Sequence, residues 1–185
     1  MNNAPGRRVC GTPGLPRTPC LRSLRVPMPY EFILSHRAEF SETDMAGIVH
    51  FANFYRMMEN AEHAFFRSLG FTVHGHEAGT TIGWPRVNAA CEFFKPLRFE
   101  ETVDIHLLVA EVRSRSIRYA FRFWKSDAGE RVEIARGSMT SVCATVNKAT
   151  GKLGAVPIPD AIRTSIQAAP AEMLAAFAEK GKSAA

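Results

Sequence analysis

Aspartate and glutamate are absent from the first 27 residues of this 185-residue chain. Five arginines stand there instead (Arg7, Arg8, Arg17, Arg22 and Arg25), and they account for the whole formal net charge of +5. The rest of the chain balances its charges, which removes the electrostatic support for nucleic-acid binding by a folded domain. The same stretch lacks the apolar core of a secretory signal, and no apolar run is long enough for a membrane span. Its Pro, Gly and Arg content without periodicity reads as a disordered leader over residues 1–28. It is either a segment of organelle-transit type or sequence ahead of a true start at Met28. Cysteine is scarce too: Cys10 and Cys20 fall in the leader, Cys91 and Cys143 in strand-like apolar runs, and no C-x-x-C occurs. The nearest thing to a ligand pair is His74-Gly75-His76, with no third ligand close in sequence. The expectation is no metal, no disulfide and a reducing, cytoplasmic setting.

The information that is present gathers between Ser41 and Gly70. Phe54, Met57, Met58, Ala61, Phe65 and Leu69 recur at three- and four-residue steps, which predicts a helix with one apolar stripe. Asn53 can cap its start, and Gly70 suits the left-handed residue that ends it. Phe66 widens the apolar face, so the helix needs a sheet curled around it. Ahead of the helix, Asp44-Met45-Ala46-Gly47 is a polar turn that delivers a carboxylate to the helix approach, where backbone amides favour negative charge. A turn-capping aspartate has the same sequence.

The flanking sequence alternates. Phe32 and Leu34 mark a first strand. Residues 71–83, with Gly75, Gly79 and Gly83, read as a loop bordering a pocket, and Val87 to Phe94 as a buried strand. Val103 to Val109 and Ile117 to Phe123 alternate cleanly, with a turn at Arg113-Ser114-Arg115. Val132 to Val146 reads as a long last strand with Gly137 as a bulge or bend. Residues 159–167 predict a short helix, and 170–180 an exposed alanine-rich one. Short connections make the later strands an antiparallel meander. The fold class is therefore α+β, a five-stranded antiparallel sheet wrapped around one long helix, in a domain spanning 29–168, with 169–185 as a C-terminal helix or tail.

Thr43-Asp44-Met45-Ala46-Gly47-Ile48-Val49-His50-Phe51-Ala52-Asn53-Phe54, followed by that helix, resembles the signature of the 4-hydroxybenzoyl-CoA thioesterase family of hotdog-fold acyl-CoA thioesterases. The likeness runs from about Tyr30 to Pro159. It includes Gly83-Trp84-Pro85, Phe93-Phe94-Lys95-Pro96 and the acidic turn Glu100-Glu101. The resemblance implies a hotdog fold that hydrolyses an acyl-CoA thioester, with coenzyme A entering only as part of the substrate and no further cofactor. It also implies a homodimer, paired again into a tetramer, with sites at subunit interfaces. Asp44 would be the catalytic carboxylate, as nucleophile or as general base. The Phe51 backbone amide would hold the oxyanion, with Gly47 and the Gly83 amide beside the substrate. Arg113 and Arg115 lie where the family places basic residues for the nucleotide of coenzyme A, and Lys148 and Lys152 occupy another such turn. Trp84, Phe51 and Phe54 either line the acyl pocket or fill core.

The sequence departs from the common V-Y-H-A-N-Y form of the motif, because His50 falls one position early. In extended chain that shift turns the side chain to the other face, leaving His50 structural or a helper beside Asp44. Asn53 is retained as a cap that could also hold a water. Glu59 is a backup carboxylate, since another hotdog lineage uses a helix glutamate. With Glu62 it reads equally as the polar flank of an interface helix. Two rival functions share the expected fold. A hydratase or dehydratase acting on acyl thioesters would need a histidine with an acid at the acyl chain. A non-catalytic acyl-CoA-binding module would retain ligand without turnover.

Overall fold

The apolar stripe predicted for the long helix is buried in the computed structural model, which describes residues 29–73, 75–77, 80–147 and 150–179. The leader lies outside them. Helix α1 (Phe51–Ser68) buries Phe54, Met57, Met58, Ala61, Phe65 and Phe66. It ends as Gly70 predicts: Gly70 takes φ +86°, its amide donates to the Arg67 carbonyl, and the Phe71 amide donates to the Phe66 carbonyl. Those bonds satisfy the last helical carbonyls.

Around α1 curls a five-stranded antiparallel sheet, in the order β1-β5-β6-β7-β4. Its strands are β1 (Glu31–Arg37), β4 (Arg86–Phe93), β5 (Thr102–Val112), β6 (Ser116–Asp127) and β7 (Glu130–Val142). The inward residues of the meander β5-β6-β7 are fully buried, among them Val103, Ile105, Leu107, Ile117, Tyr119, Phe121 and Phe123. They meet the helix through contacts such as Phe54 on Phe123, with ring centroids 5.2 Å apart.

Four expectations about the sheets need correction. Residues 71–83 are not simply a loop. They contain β2 (Gly75–Glu77) and β3 (Thr80–Gly83), which join β8 (Ala144–Val146) and β9 (Leu153–Ala155) in a second, four-stranded sheet. The predicted last strand changes sheets at Cys143, because Val142 pairs with Ser116 in one sheet and Ala144 with Gly83 in the other. Strand β4 is present but exposed. Among the described residues it pairs only with β7, and Val87, Phe93 and Phe94 are all more than 40 % accessible.

Gly137 is not the bulge either. Its pairing with Cys91 on one side and Phe121 on the other is in register, and the irregularity lies between Phe123 and Trp124. Glycine is required at 137 because a Cβ would stand 2.5 Å from Met58 Sδ and 3.2 Å from the Ala90 carbonyl oxygen. Gly137→Ala therefore overpacks the helix–sheet seam. It is expected to cost about 1–3 kcal/mol, seen as a lower urea midpoint with an unchanged slope.

Two short helices follow, α2 (Asp160–Ser165) and α3 (Ala171–Ala178). Eight residues are too few for a helix to persist alone, and α3 is held by docking on the outer face of the sheet. Phe177 packs edge-on to His106 at 4.9 Å, in a small cluster with Leu108 and Ala169. Arg122 and Arg136, both ion-paired to Glu133, donate to the Glu179 carbonyl at 2.6 and 2.8 Å, and Arg136 also donates to the Ala178 carbonyl at 2.8 Å. Two cations thus cap the negative end of the helix dipole.

Candidate active site

The Asp44 turn is built on Glu42. Its carboxylate accepts from the Glu39 amide at 2.8 Å and lies 2.8 Å from His36 Nε2. Its carbonyl accepts from the His50 amide at 2.9 Å and from Asn53 Nδ2 at 2.7 Å. A bridge between Thr43 and Val49 then closes the loop, in which Gly47 takes φ +71°. That conformation suits glycine. The Val49 amide donates to the Leu97 carbonyl at 2.7 Å, which fixes the turn to the chain entering β5. Lys125, nine-tenths buried, braces that entry by donating to the Pro96 carbonyl and to Glu101.

Asp44 stands exposed at the tip. One carboxylate oxygen accepts from the Ala46 amide at 2.8 Å, which leaves the other to face outward. Helix α1 begins a few residues on, and the Phe51 amide, among its first orphan donors, meets no acceptor among the described residues. Phe40, Met45, Phe51 and Phe99 stand exposed near the turn as an apolar rim. One end of the fold therefore joins a carboxylate, an uncommitted backbone donor and apolar surface. Such a set can attack or hydrate a carbonyl carbon and hold the oxygen charge that develops.

The cap differs from expectation. His50, not Asn53, occupies the N-cap, its Nδ1 accepting from the Ala52 amide at 3.4 Å. Asn53 lies inside the first turn and ties it back to Glu42, because the extended backbone ends one residue before Phe51. His50 stacks beside Phe51, with centroids 4.4 Å apart, and makes no hydrogen bond to Asp44.

The other predicted residues are not brought here. Gly83 pairs with Ala144, and the Pro85 carbonyl accepts from Val142, at the far end of the sheet. Arg113 and Arg115 form the β5–β6 turn at that same end, Arg113 ion-paired to Glu111 at 2.8 Å. Trp84 is buried against Phe66, with centroids 5.3 Å apart, in the second half of α1. Both the helix rise and the strand length put this end roughly 25–30 Å from the Asp44 turn within one chain. Of the lysines named with the two arginines, Lys148 lies outside the described residues. So do the side chains of His74 and His76. Among the described residues no three His, Cys, Asp or Glu side chains gather as a metal site, and no helix is long and apolar enough to cross a membrane. Cys143 Sγ donates to the Pro157 carbonyl at 3.7 Å, and burial pushes the Cys91 thiol up to about 12.

Glu59 has a structural partner, an ion pair to Arg86 Nη1 at 3.1 Å. Glu62, read with Glu59 as a polar flank of the helix, is instead fully buried on α1. Its carboxyl accepts from Ser141 Oγ at 2.7 Å and pairs with Arg86 Nη2, which also lies 3.0 Å from His63 Nε2. Burial raises the Glu62 pKa above its ordinary value, and the Arg86 charge opposes the rise. Tyr119, fully buried, is held well above the ordinary phenol value by burial and then by the Glu62 charge. A glutamate three residues from another on a helix carries no sequence signal of burial.

The profile of the thioesterase-like superfamily matches residues 38–176. A provisionally named esterase of Aquifex aeolicus is 32 % identical over 127 residues, covering 68 % of this chain and 91 % of that protein. A 1,4-dihydroxy-2-naphthoyl-CoA hydrolase of Prochlorococcus marinus is 27 % identical over 132 residues, covering 67 % and 81 %. Among solved structures, a gentisyl-coenzyme A thioesterase is 32 % identical with a TM-score of 0.62, covering 74 % of this chain and 100 % of that one. A 4-hydroxybenzoyl-CoA thioesterase, solved as an aspartate-to-asparagine variant with 4-hydroxybenzoyl-CoA, is 21 % identical with a TM-score of 0.67, covering 75 % and 99 %. At that identity the last likeness speaks for the fold alone, and the fold it shares is the hotdog.

Proposed function

The chain belongs to the thioesterase-like superfamily, and from that premise we propose that it hydrolyses an acyl-CoA thioester to the free acid and coenzyme A, with Asp44 as the catalytic carboxylate. The observation that carries this reading is the exposed Asp44 carboxylate on a turn braced by Glu42, beside the unpaired amide that opens α1. In the base form of the reaction, Asp44 takes a proton from water and the hydroxide adds to the thioester carbon. In the nucleophilic form, its oxygen adds directly, and water then opens the mixed anhydride. In both, the carbonyl oxygen gathers charge that the Phe51 amide offsets, and the coenzyme A thiolate leaves.

Gly83, Arg113 and Arg115 lie too far from Asp44 to serve the same site within one chain. The proposal therefore includes a second copy that presents them, in an assembly with sites at the subunit boundary. We further propose an aromatic acyl group. Two relatives named for aromatic acyl-CoA esters support it, as does the aromatic rim of Phe40, Phe51 and Phe99.

Thiol release from a panel of aryl- and straight-chain acyl-CoAs tests the reading. Aryl esters are expected to exceed straight-chain esters by at least about tenfold in kcat/KM, about 1.4 kcal/mol of pocket fit. Retained acyl-CoA with no thiol released from any ester would instead make the protein a binding module. An unsaturated or hydroxylated thioester as product would make it a hydratase or dehydratase.

A further inference from the structure

A second cleft stands away from Asp44. It lies on the opposite face of the sheet, beneath α3, with a volume of about 410 Å3, within the range of small-molecule sites. Its floor is made of small side chains: Ala120 on β6, its cross-strand partner Ser138 on β7, and Ala110 on β5. Ala110 falls at the register shift between Val109 and Glu111, where one extra residue bends the strand. Leu174 and Phe177 form the roof.

Two features distinguish this cleft from a packing defect. Its roof is pinned, because Arg122 and Arg136 are saturated by Glu133 and the carbonyls ending α3. The charge on its lining is also one-sided. Arg118 and Arg136 line it and no carboxylate does. In the wider surround Arg118 pairs with Glu111, Arg122 and Arg136 pair with Glu133, and Glu92 stands across from Arg136 in the β4–β7 ladder. Arg118, at the open end, is held by nothing closer than a 3.7 Å ion pair to Glu111 and is 57 % exposed. It is the cation able to swing onto a ligand. An apolar trough with a fixed roof and an exposed, loosely paired guanidinium at its side is complementary to one class of molecule.

We infer that the cleft beneath α3 binds a small monocarboxylic acid with a compact apolar body, its ring or branched chain over Ala120 under Phe177 and its carboxylate on Arg118, with the Ser138 hydroxyl as a second donor. The volume is too small for coenzyme A, so the ligand is a free acid.

Calorimetric titration of the full-length protein with 2-naphthoate tests this, with 2-naphthamide as the uncharged match. The naphthoate is expected to bind at least about tenfold more tightly than the amide, as a charge-assisted pair requires. Arg118→Gln, at an exposed position, is expected to erase that preference, and Ala120→Leu to remove binding of both by filling the trough. Thermal melting of Ala120→Leu checks that α3 remains docked. Asp44→Asn is expected to leave the affinity unchanged, which separates the cleft from product binding at the candidate active site. The readout is binding, so it stands or falls independently of thioester hydrolysis. No heat up to millimolar acid overturns the inference. So does equal affinity for the amide, or binding that Arg118→Gln and Ala120→Leu leave intact.

Discussion

Asp44→Asn is expected to lower thiol release by a factor of about a hundred or more, the scale on which a positioned carboxylate contributes as base or nucleophile. The substitution is well suited to this position. The Ala46 amide now donates to one carboxylate oxygen, and an asparagine side chain offers a carbonyl oxygen at the same place, so the turn keeps its shape. Asp44 is also exposed, and changes at such sites usually move stability by less than about 0.5 kcal/mol. A large loss of kcat with an unchanged melting curve would therefore report chemistry. Loss confined to KM would assign Asp44 to binding. A variant that keeps its rate would reduce Asp44 to a turn cap, and Glu59 would not easily replace it, being held by Arg86.

The largest loss of stability is expected at Arg86→Met. Glu62 is fully buried, and apart from the Ser141 hydroxyl its compensation comes from the Arg86 guanidinium. Removing one partner of such a pair leaves a charge without its counter-ion and costs about 3–5 kcal/mol. Glu62→Gln in the same background should recover most of that loss, because the amide is neutral and still accepts from Ser141.

The pH dependence has a definite sign. Burial raises the native pKa of Glu62 above that of the unfolded chain, so the native state holds the proton more tightly. The contribution of this group to stability is complete below about pH 4.5, the ordinary glutamate value, and is lost as pH rises through the native pKa. Without Arg86 that pKa climbs further. The stability gap between wild type and Arg86→Met should thus widen from pH 5 to pH 8, measured by urea unfolding. A gap independent of pH would mean that Glu62 holds the same protonation state in both proteins over that range.

Much of this was legible in sequence because it is local. The α1 stripe, the Gly70 terminus and the alternation of β5 and β6 each follow from spacing and residue type, and the Asp44 turn is announced by its own four residues. What was hidden depends on distant partners. Glu62 is buried because Ser141, 79 residues away, and Arg86, 24 away, converge on it. Gly137 reads as a bend by type, whereas its role is set by Met58 on another element. Strands β2 and β3 are short and glycine-containing, and β3 is held by a strand about sixty residues later, so neither composition nor period marks them. Helix α3 looks solvated until Phe177 finds His106 on the outer face.

The exposed edge of β4 has a consequence for how the chain must be handled in making it. One side of that strand pairs with β7, and the other presents backbone donors and acceptors next to Val87, Phe93 and Phe94. Any open strand of another newly made chain can zip onto such a row, and only Arg86 and Glu92 interrupt it with charge. Recovery of native protein from denaturant is thus a competition between folding within the chain and indiscriminate stacking at that edge. Slow dilution into cold, low-protein buffer should favour the former, whereas a concentrated jump should end in precipitate.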